Sequence, residues 1–200
     1  MPRMSEAEKR KSHKRILEKA AQLFRERGVE APSVSDVMQA AGLTHGGFYR
    51  HFKSKDDLVV SAFRLAVDDV LADMEAAVTE EERAAARADY IDTYLSMCHV
   101  DNRGNGCPLA ALAGELSRGS PDAKAEGLHA VERVSEHLRE GTDAGQGIAL
   151  LALMLGTVTL ARLAEREETV QTVLDAGHTG ADLIRSAWPE TAKEVDAKSV

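Results

Sequence analysis

The chain is poor in cysteine, in aromatic residues and in proline. Two cysteines among 200 residues are too few for a disulfide framework, and a reducing compartment would keep both as thiols. Aromatic residues make up only 4% of the chain, whereas alanine, leucine, glutamate and arginine are abundant. Because the abundant residues favour helices and the scarce ones favour sheets, we predict an all-α protein.

Signals for export, membrane insertion and common enzyme chemistry are also missing. Residues 1–15 are charged and are not followed by the apolar stretch of a secretory signal. No segment is expected to be long and apolar enough to cross a bilayer. Phosphate-binding loops, dinucleotide fingerprints, nucleophile elbows and zinc-protease motifs do not occur. The sequence therefore predicts a cytoplasmic protein that is not an enzyme, with no membrane partner, cofactor, catalytic residue or bound metal.

Charge is divided unevenly along the chain. The whole chain has a net charge of −8, but residues 1–55 contain 12 Lys and Arg against 6 Asp and Glu, a local balance of +6. The remainder has a balance of −14. A basic region joined to an acidic body indicates a nucleic-acid-binding region attached to a part of the chain that has another role. A DNA-compacting protein is expected to be basic throughout, so this division disfavours an architectural role.

The basic region has the pattern of a helix-turn-helix. Ser33 is placed to cap the second of its helices, with Asp36 three residues on as in a capping box, and Thr44 is placed to cap the third. Gly42 provides the tight turn between those two helices. The predicted helices cover residues 5–27, 33–42 and 44–52.

The third of these helices has two different sides. Phe48 and Phe52 are four residues apart and should anchor it to the first two helices, which leaves His45 and Tyr49 on the side that would face DNA. Gly46 and Gly47 allow two interpretations. In the first, they lie in the first turn of the helix, where glycine destabilises a helix less than it does in the interior. In the second, their missing side chains let the helix approach the duplex closely.

Residues 12–60 resemble the DNA-binding domain of the TetR family of transcriptional regulators. The matching positions are Ile16, Leu17, Ala20, Leu23, Phe24, Gly28, Ser33, Val34, Val37, Ala40, Ala41, Gly42, Leu43, Gly46, Phe48, Tyr49, His51, Phe52, Ser54, Lys55 and Leu58. The family often has lysine at the position of His45 and threonine at that of Gly47, so the bases that are read stay open. The resemblance implies that DNA is contacted by Ser33, Val34, Thr44, His45, Gly46, Gly47, Tyr49, His51 and Lys55.

The resemblance also implies a division into residues 1–54, the DNA-binding domain, and residues 55–200, a helical effector-binding and dimerisation domain. Helices are predicted in the second part at 55–78, 82–100, 108–117, 121–140, 146–166 and 167–187. The helix at 146–166 is apolar nearly all round and must be buried on several sides. With the last helix it would form a four-helix interface in a homodimer, or both would complete a monomeric core.

Cys107 precedes Pro108 at the start of a predicted helix, where the helix dipole favours a reactive thiolate. One hypothesis is therefore a redox or electrophile sensor at Cys107, closing on Cys98; the other is a buried, small apolar residue. Cys98, His99 and Cys107 match no standard zinc spacing. His129, His137 and His178 are expected to face solvent.

The sequence as a whole predicts a sequence-specific DNA-binding transcriptional regulator. The resemblance implies a homodimeric repressor that leaves a near-palindromic operator when a small molecule or a thiol-reactive signal arrives. A sequence-independent architectural DNA-binding protein and a small helical enzyme are the alternatives.

Overall fold

The structure is a computed structural model that describes residues 6–189, and every ordered element in that range is helical. The all-α prediction is confirmed. Two short 3₁₀ segments, His45–Arg50 and Arg103–Asn105, accompany nine α-helices in the described range. The α-helices are α1 (Glu6–Arg27), α2 (Val34–Ala40), α3 (Lys55–Ala76), α4 (Glu80–Tyr94), α5 (Met97–Asp101), α6 (Pro108–Leu116), α7 (Pro121–Leu138), α8 (Ala144–Ala161) and α9 (Glu167–Ala187).

Local signals in the sequence set the ends of the first two helices. Helix α1 ends at Gly28, whose φ of +78° is a left-handed conformation that glycine adopts without strain. The capping box at the start of α2 is present: the Asp36 amide donates to the Ser33 hydroxyl at 3.2 Å, and the Ser33 amide donates to the Asp36 carboxylate at 2.8 Å. Gly42, at φ +66°, makes the turn that follows α2.

Two predicted helices differ from the structure. The third is a 3₁₀ segment rather than an α-helix, and the Thr44 side chain makes no capping hydrogen bond. A short 3₁₀ run suits a segment of six residues that contains two glycines. The helix predicted at 82–100 is broken after Tyr94, because the Ser96 hydroxyl accepts the His99 amide and starts a new helix, α5.

Helix α8 packs mainly against α7 and α9. It is 18 residues long and apolar enough to cross a membrane by length and composition, so the expectation that the chain has no such run was wrong. In the structure 44% of this helix is buried. Gly147 allows the close approach of α7, because a Cβ there would meet the backbone of Ser135 at 2.8 Å.

Helix α3 connects the N-terminal region, residues 6–54, to the body, residues 55–189. It packs on α1 and on α7. Arg64 of α3 pairs with the buried Glu126 of α7, and Arg133 of α7 pairs with Asp68 and Glu75 of α3 at 2.7 and 2.6 Å. These ion pairs hold α3, the helix that connects the two regions, against α7 of the body.

Further contacts join the N-terminal region directly to the loops of the body. The Arg25 guanidinium, in the last turn of α1, donates to the Gly104 carbonyl at 2.7 Å. The carboxylate of Glu115 in α6 accepts the Val29 amide at 2.7 Å, just after α1 ends. Helix α1 is therefore fastened both to the loop before α6 and to α6 itself.

Candidate nucleic-acid interface and cavity

The 3₁₀ segment His45–Arg50 is held from behind by aromatic rings. Phe48 is 1% exposed and Phe52 is 3% exposed, and their ring centroids lie 5.7 Å apart. His13 of α1 stacks on Phe52 at 4.7 Å. Tyr49 meets Phe48 edge to face at 5.2 Å but remains 74% exposed. The anchoring role predicted for the two phenylalanines is thus visible in the packing, and the opposite side of the segment is open.

The DNA contacts predicted at the start of the 3₁₀ segment lie on this open side. Thr44, His45 and Gly46 are exposed, and the His45 Nδ1 lies 3.0 Å from the Ser35 hydroxyl of α2. A Cβ at Gly46 would meet nothing within 4 Å, and one at Gly47 would meet only the Met38 methyl at 3.5 Å. The packing of the protein interior therefore does not require glycine at either position. This favours the second interpretation, in which the two glycines allow the segment to approach DNA closely.

The predicted phosphate contacts are already engaged in local structure. The Ser33 hydroxyl takes part in the capping box with Asp36, and Val34 is half-buried against the core. Lys55 is half-buried, and its ammonium donates to the Glu30 carbonyl at 3.2 Å. These side chains lie at helix starts, where backbone amides also point outwards and suit a phosphate.

His51 is a predicted contact that the structure leaves only partly exposed. Its ring lies 5.7 Å from that of His13 and 6.3 Å from that of Phe52, and its Nδ1 is buried without a hydrogen-bond partner among the described residues. Burial lowers the pKa of His51, and His13 and Lys9 lower it further. His51 is therefore a mainly neutral packing residue beside the exposed surface.

The first half of α1 is rich in exposed basic side chains, and it packs beside the 3₁₀ segment through His13. His13 packs on Phe52, and Lys9 is close enough to act on His51. All of the following are exposed: Lys9, Arg10, Lys11, Lys14 and Arg15. We call this group the basic face. An exposed aromatic and imidazole segment beside such a face is the arrangement that a major-groove reader needs.

The body contains a cavity of about 370 Å³ that the sequence did not predict. It lies among α3, α4, α5 and the loop that precedes α6. Residues that line it include Asp69, Asp73, Tyr90, Tyr94, Cys98 and Cys107. The Asp69–Asp73 and Tyr90–Tyr94 pairs are each four residues apart, a spacing that places both members on one helix face and could have signalled the cavity.

His99 is buried beside this cavity and holds two parts of the chain together. Its Nδ1 donates to the Tyr94 carbonyl at 2.7 Å, and its Nε2 accepts the Cys107 amide at 2.9 Å. The bond accepted by Nε2 requires the neutral ring, and burial lowers the pKa of His99 more than the bond to the Tyr94 carbonyl raises it. Neither ring nitrogen is left for a metal, and residues 6–189 hold no group of three or more His, Cys, Asp or Glu side chains suited to one.

Cys107 does not have the environment of a reactive thiolate. It is 4% exposed, and burial raises the pKa of its thiol, although backbone amides and the Tyr94 hydroxyl oppose that shift. The expectation that the start of α6 would favour the thiolate was wrong, because desolvation outweighs the helix dipole. Cys98 is exposed and lines the same cavity.

The three histidines expected to face solvent are not alike. His129 is exposed, with 59% of its side chain accessible. His178 donates from Nε2 to the Leu95 carbonyl at 3.0 Å, and His137 lies 4.0 Å from the Glu75 carboxylate with 29% of its side chain exposed. The expectation holds for His129, whereas His137 and His178 are only partly exposed, with 29% and 39% of their side chains accessible, because they also contact neighbouring helices.

Comparison with known proteins begins with the N-terminal region. The profile of the bacterial regulatory proteins of the tetR family matches residues 16–62. The HTH-type transcriptional repressor KstR2 of Rhodococcus jostii (strain RHA1) is 44% identical over 55 residues, 28% of this chain and 27% of that protein. The HTH-type transcriptional regulator AcrR of Shigella flexneri is 34% identical over 70 residues, 35% of this chain and 33% of that protein. These alignments span a third or less of either relative.

The likeness in three dimensions extends through the body. A TetR transcriptional regulator from Chloroflexus aurantiacus J-10-FL has a solved structure that is 26% identical in sequence, with a TM-score of 0.69. The match covers 88% of this chain and 96% of that chain. The N-terminal sequence match and the shared fold lead to one conclusion: residues 16–62 have the sequence of the DNA-binding region of tetR-family bacterial regulatory proteins, and the described chain has the fold of a solved TetR regulator.

Proposed function

We propose that this protein is a homodimeric, sequence-specific DNA-binding repressor, with residues 1–54 as the DNA-binding domain and residues 55–200 as the dimerisation and effector domain. The observation that carries the proposal is the 3₁₀ segment, in which Tyr49 and His45 are exposed while Phe48 is buried. The adjacent basic face supplies the charge that attracts the phosphate backbone. Base contacts then come from the exposed side of the segment.

The homodimer is supported by large apolar side chains that the single chain leaves exposed. Ile148 and Leu160 of α8 are 49% and 59% exposed, Leu163 just beyond α8 is 77% exposed, and Leu183 of α9 is 61% exposed. Helices α8 and α9 pack together, so these residues lie on one pair of neighbouring helices. Pairing with a second copy about a twofold axis would remove this apolar surface from water.

Release from DNA by an effector is supported by the contacts between the cavity and α1. The loop that lines the cavity, through Asn105 and Gly106, begins at Gly104, the residue whose carbonyl holds Arg25. A ligand that moves this loop would therefore move α1 and the 3₁₀ segment packed on it. A thiol-reactive signal would have to act first at the exposed Cys98, because Cys107 is buried.

The test is selection of genomic DNA fragments by the purified protein, followed by fluorescence anisotropy with the selected fragment. We expect nanomolar binding to one pseudo-palindrome and a steep loss of affinity with salt as phosphate contacts are lost. Equal binding to unrelated duplexes would favour the architectural alternative. Failure to bind any duplex would reject the proposal.

The oligomeric state is tested separately by light scattering. We expect twice the 21.6 kDa mass of one chain, and Leu160→Glu should yield monomers. Leu128→Glu is the matched control, because Leu128 lies on α7 and is 61% exposed, comparable to Leu160. A wild-type monomer, or dissociation by both variants alike, would contradict an interface on α8 and α9.

A further inference from the structure

The cavity of the body is lined by three exposed carboxylates, of which Asp69 interacts with the positive charge of Arg25 behind the cavity wall. Asp69 and Asp73 lie on one face of α3, and Asp89 faces them from α4 across the cavity. No lysine or arginine lines the cavity, and the His99 beside it is neutral for the reasons given above. Asp73 and Asp89 form no ion pair within residues 6–189. Like charges on adjacent turns of a helix cost stability, so the addition of Asp73 to Asp69 does not stabilise the fold.

The inner part of the cavity contains a second, independent sign of a ligand. The hydroxyl groups of Tyr90 and Tyr94 are buried and make no hydrogen bond of good geometry within the described part of the chain, where their polar neighbour is the Cys107 thiol, a weak partner. Tyr94 is only 3% exposed, and its hydroxyl is one of the few such atoms in that part of the chain. A buried polar group without a partner costs about 1–3 kcal/mol, which a ligand that bonds to it would recover.

We propose that this cavity binds an organic cation with an apolar or aromatic body, whose buried end carries a hydrogen-bonding group. The cationic group lies among Asp69, Asp73 and Asp89, and the buried end bonds to the two tyrosine hydroxyls. Met74 and the tyrosine rings supply the apolar wall, and the ring faces attract positive charge as well. A carboxylate ligand of the same shape would be repelled by the three acids. The inference rests on the proposed function, since it names the effector class of that regulator.

Binding of a cation at this place also suggests how DNA is released. Asp69 lies close to the Arg25 guanidinium, which it stabilises in the charged form against the effect of burial. Arg25 is the residue of α1 that donates to the Gly104 carbonyl. A cationic ligand competes with Arg25 for Asp69 and thereby weakens one of the two fastenings between α1 and the body.

The experiment is isothermal titration of the full chain, without DNA, with three probes of one shape: 4-phenylbutylammonium, 4-phenylbutanol and 4-phenylbutanoate. We expect the ammonium to bind at least about tenfold more tightly than the alcohol, and the carboxylate to bind most weakly, because one charge at contact distance in a partly exposed site accounts for such a factor. Equal or tighter binding of the alcohol or the carboxylate would overturn the proposal, and so would the absence of binding by all three at millimolar concentration.

Variants locate the two ends of the ligand. Asp73→Asn and Asp89→Asn should each reduce the preference for the ammonium over the alcohol, whereas Glu81→Gln removes one charge from an exposed position in the first turn of α4 and should leave it unchanged. Adding a phenolic hydroxyl to the ammonium probe should tighten binding to the wild type but not to Tyr94→Phe. An equal gain in both proteins, or no gain in either, would overturn the placement of the buried end.

Because no DNA is present in these titrations, they test the cavity alone. A protein that binds its operator but not the ammonium probe would retain the proposed function and lose this inference. A protein that binds the ammonium probe selectively but binds no duplex would retain the cation site and lose the proposed function.

Discussion

The surface around the 3₁₀ segment and the cavity of the body use their polar groups in opposite ways. At the surface, Tyr49 and His45 point outwards from a segment whose aromatic anchors are buried behind it. In the cavity, the hydroxyls of Tyr90 and Tyr94 are turned inwards and make no hydrogen bond of good geometry within the described part of the chain. A surface that binds DNA needs rigid support and positive charge. A site for a small molecule needs polar groups that line a cavity and are free to bond to the ligand.

The glycines of the two regions show the same contrast. A Cβ at Gly147 would collide with the carbonyl oxygen of Ser135 and lie 2.8 Å from its carbonyl carbon, whereas a Cβ at Gly46 would meet nothing. Gly147→Ala should therefore lower the free energy of unfolding by about 3 kcal/mol, because helices α7 and α8 would have to move apart. Urea denaturation followed by circular dichroism measures this change.

Gly46→Ala is the matched control for that variant. It should change the free energy of unfolding by no more than about 0.5 kcal/mol. Any weakening of operator binding by Gly46→Ala would then report close approach to DNA rather than loss of the fold. Wild-type stability in Gly147→Ala would mean that the crossing of α7 and α8 is looser than the structure shows.

Tyr49→Ala sharpens the comparison at the surface. Because Tyr49 is 74% exposed and packs only edge-on against Phe48, its removal should leave stability within about 0.5 kcal/mol of wild type. Operator affinity should fall by about 2 kcal/mol, or about 30-fold, in an anisotropy titration. Val78→Ala, at a residue that is also 74% exposed but lies between α3 and α4, should bind the operator normally. An equal loss of operator affinity in both variants would contradict the assignment of the 3₁₀ segment as the DNA-binding surface.

Ser33 serves as a helix cap in the structure and is proposed as a DNA contact, and two substitutions separate these roles. Ser33→Ala should lower the free energy of unfolding by about 1 kcal/mol because the Asp36 amide loses its partner. Ser33→Asp keeps a capping oxygen and should restore most of that stability, yet it places a negative charge near phosphate and should still weaken operator binding. Normal operator binding by Ser33→Asp would limit Ser33 to capping.

The pH dependence of stability tests the neutral His99 of the cavity wall. Its pKa is lowered by burial in the folded chain, so the unfolded chain binds the proton more readily. Stability contributed by neutral His99 is therefore present above the unfolded pKa, near 6.5, and falls as the pH drops below it. Urea unfolding at pH 7.5 and pH 5.5 should show this loss.

The matched comparison for the pH effect is His99→Gln against His129→Gln. The first variant should have a smaller difference between the two pH values, and the second should keep the wild-type difference because His129 is exposed. Part of the dependence should persist in His99→Gln, since the pKa of His51 is lowered in the same direction. An unchanged difference in His99→Gln would contradict the role assigned to its neutral ring.

Predictions from sequence succeeded where a local signal decides the structure. The capping box at Ser33, the stop at Gly28 and the proline starts of α6 and α7 are each specified by residues within one or two turns. They failed where two local signals compete or where burial decides. Ser96 interrupts a helix that its neighbours would continue, and Cys107 has a helix-start position whose electrostatic effect is reversed by desolvation.

Residue spacing within α3 and within α4 could have indicated two walls of the cavity, but for a related reason the meeting of those walls could not be predicted. Its walls come from segments as far apart in sequence as Asp69 and Cys107, and no periodicity in one segment reports the groups on another. The links from Arg25 to Gly104 and from Glu115 to Val29 join residues 79 and 86 positions apart. Arg25 and Glu115, taken singly, have the character of ordinary charged residues on a helix surface.

The amino-acid sequence by itself determined the helical class, the caps of the N-terminal helices, the two-sided character of the segment after Gly42 and the division of charge. All of these depend on interactions between near neighbours or on composition. Only the tertiary structure decided that this segment is a 3₁₀ turn, that Cys107 is buried, and that three carboxylates and two buried hydroxyls share one cavity. Desolvation and the meeting of distant helices set those features, and both arise only once the chain has packed.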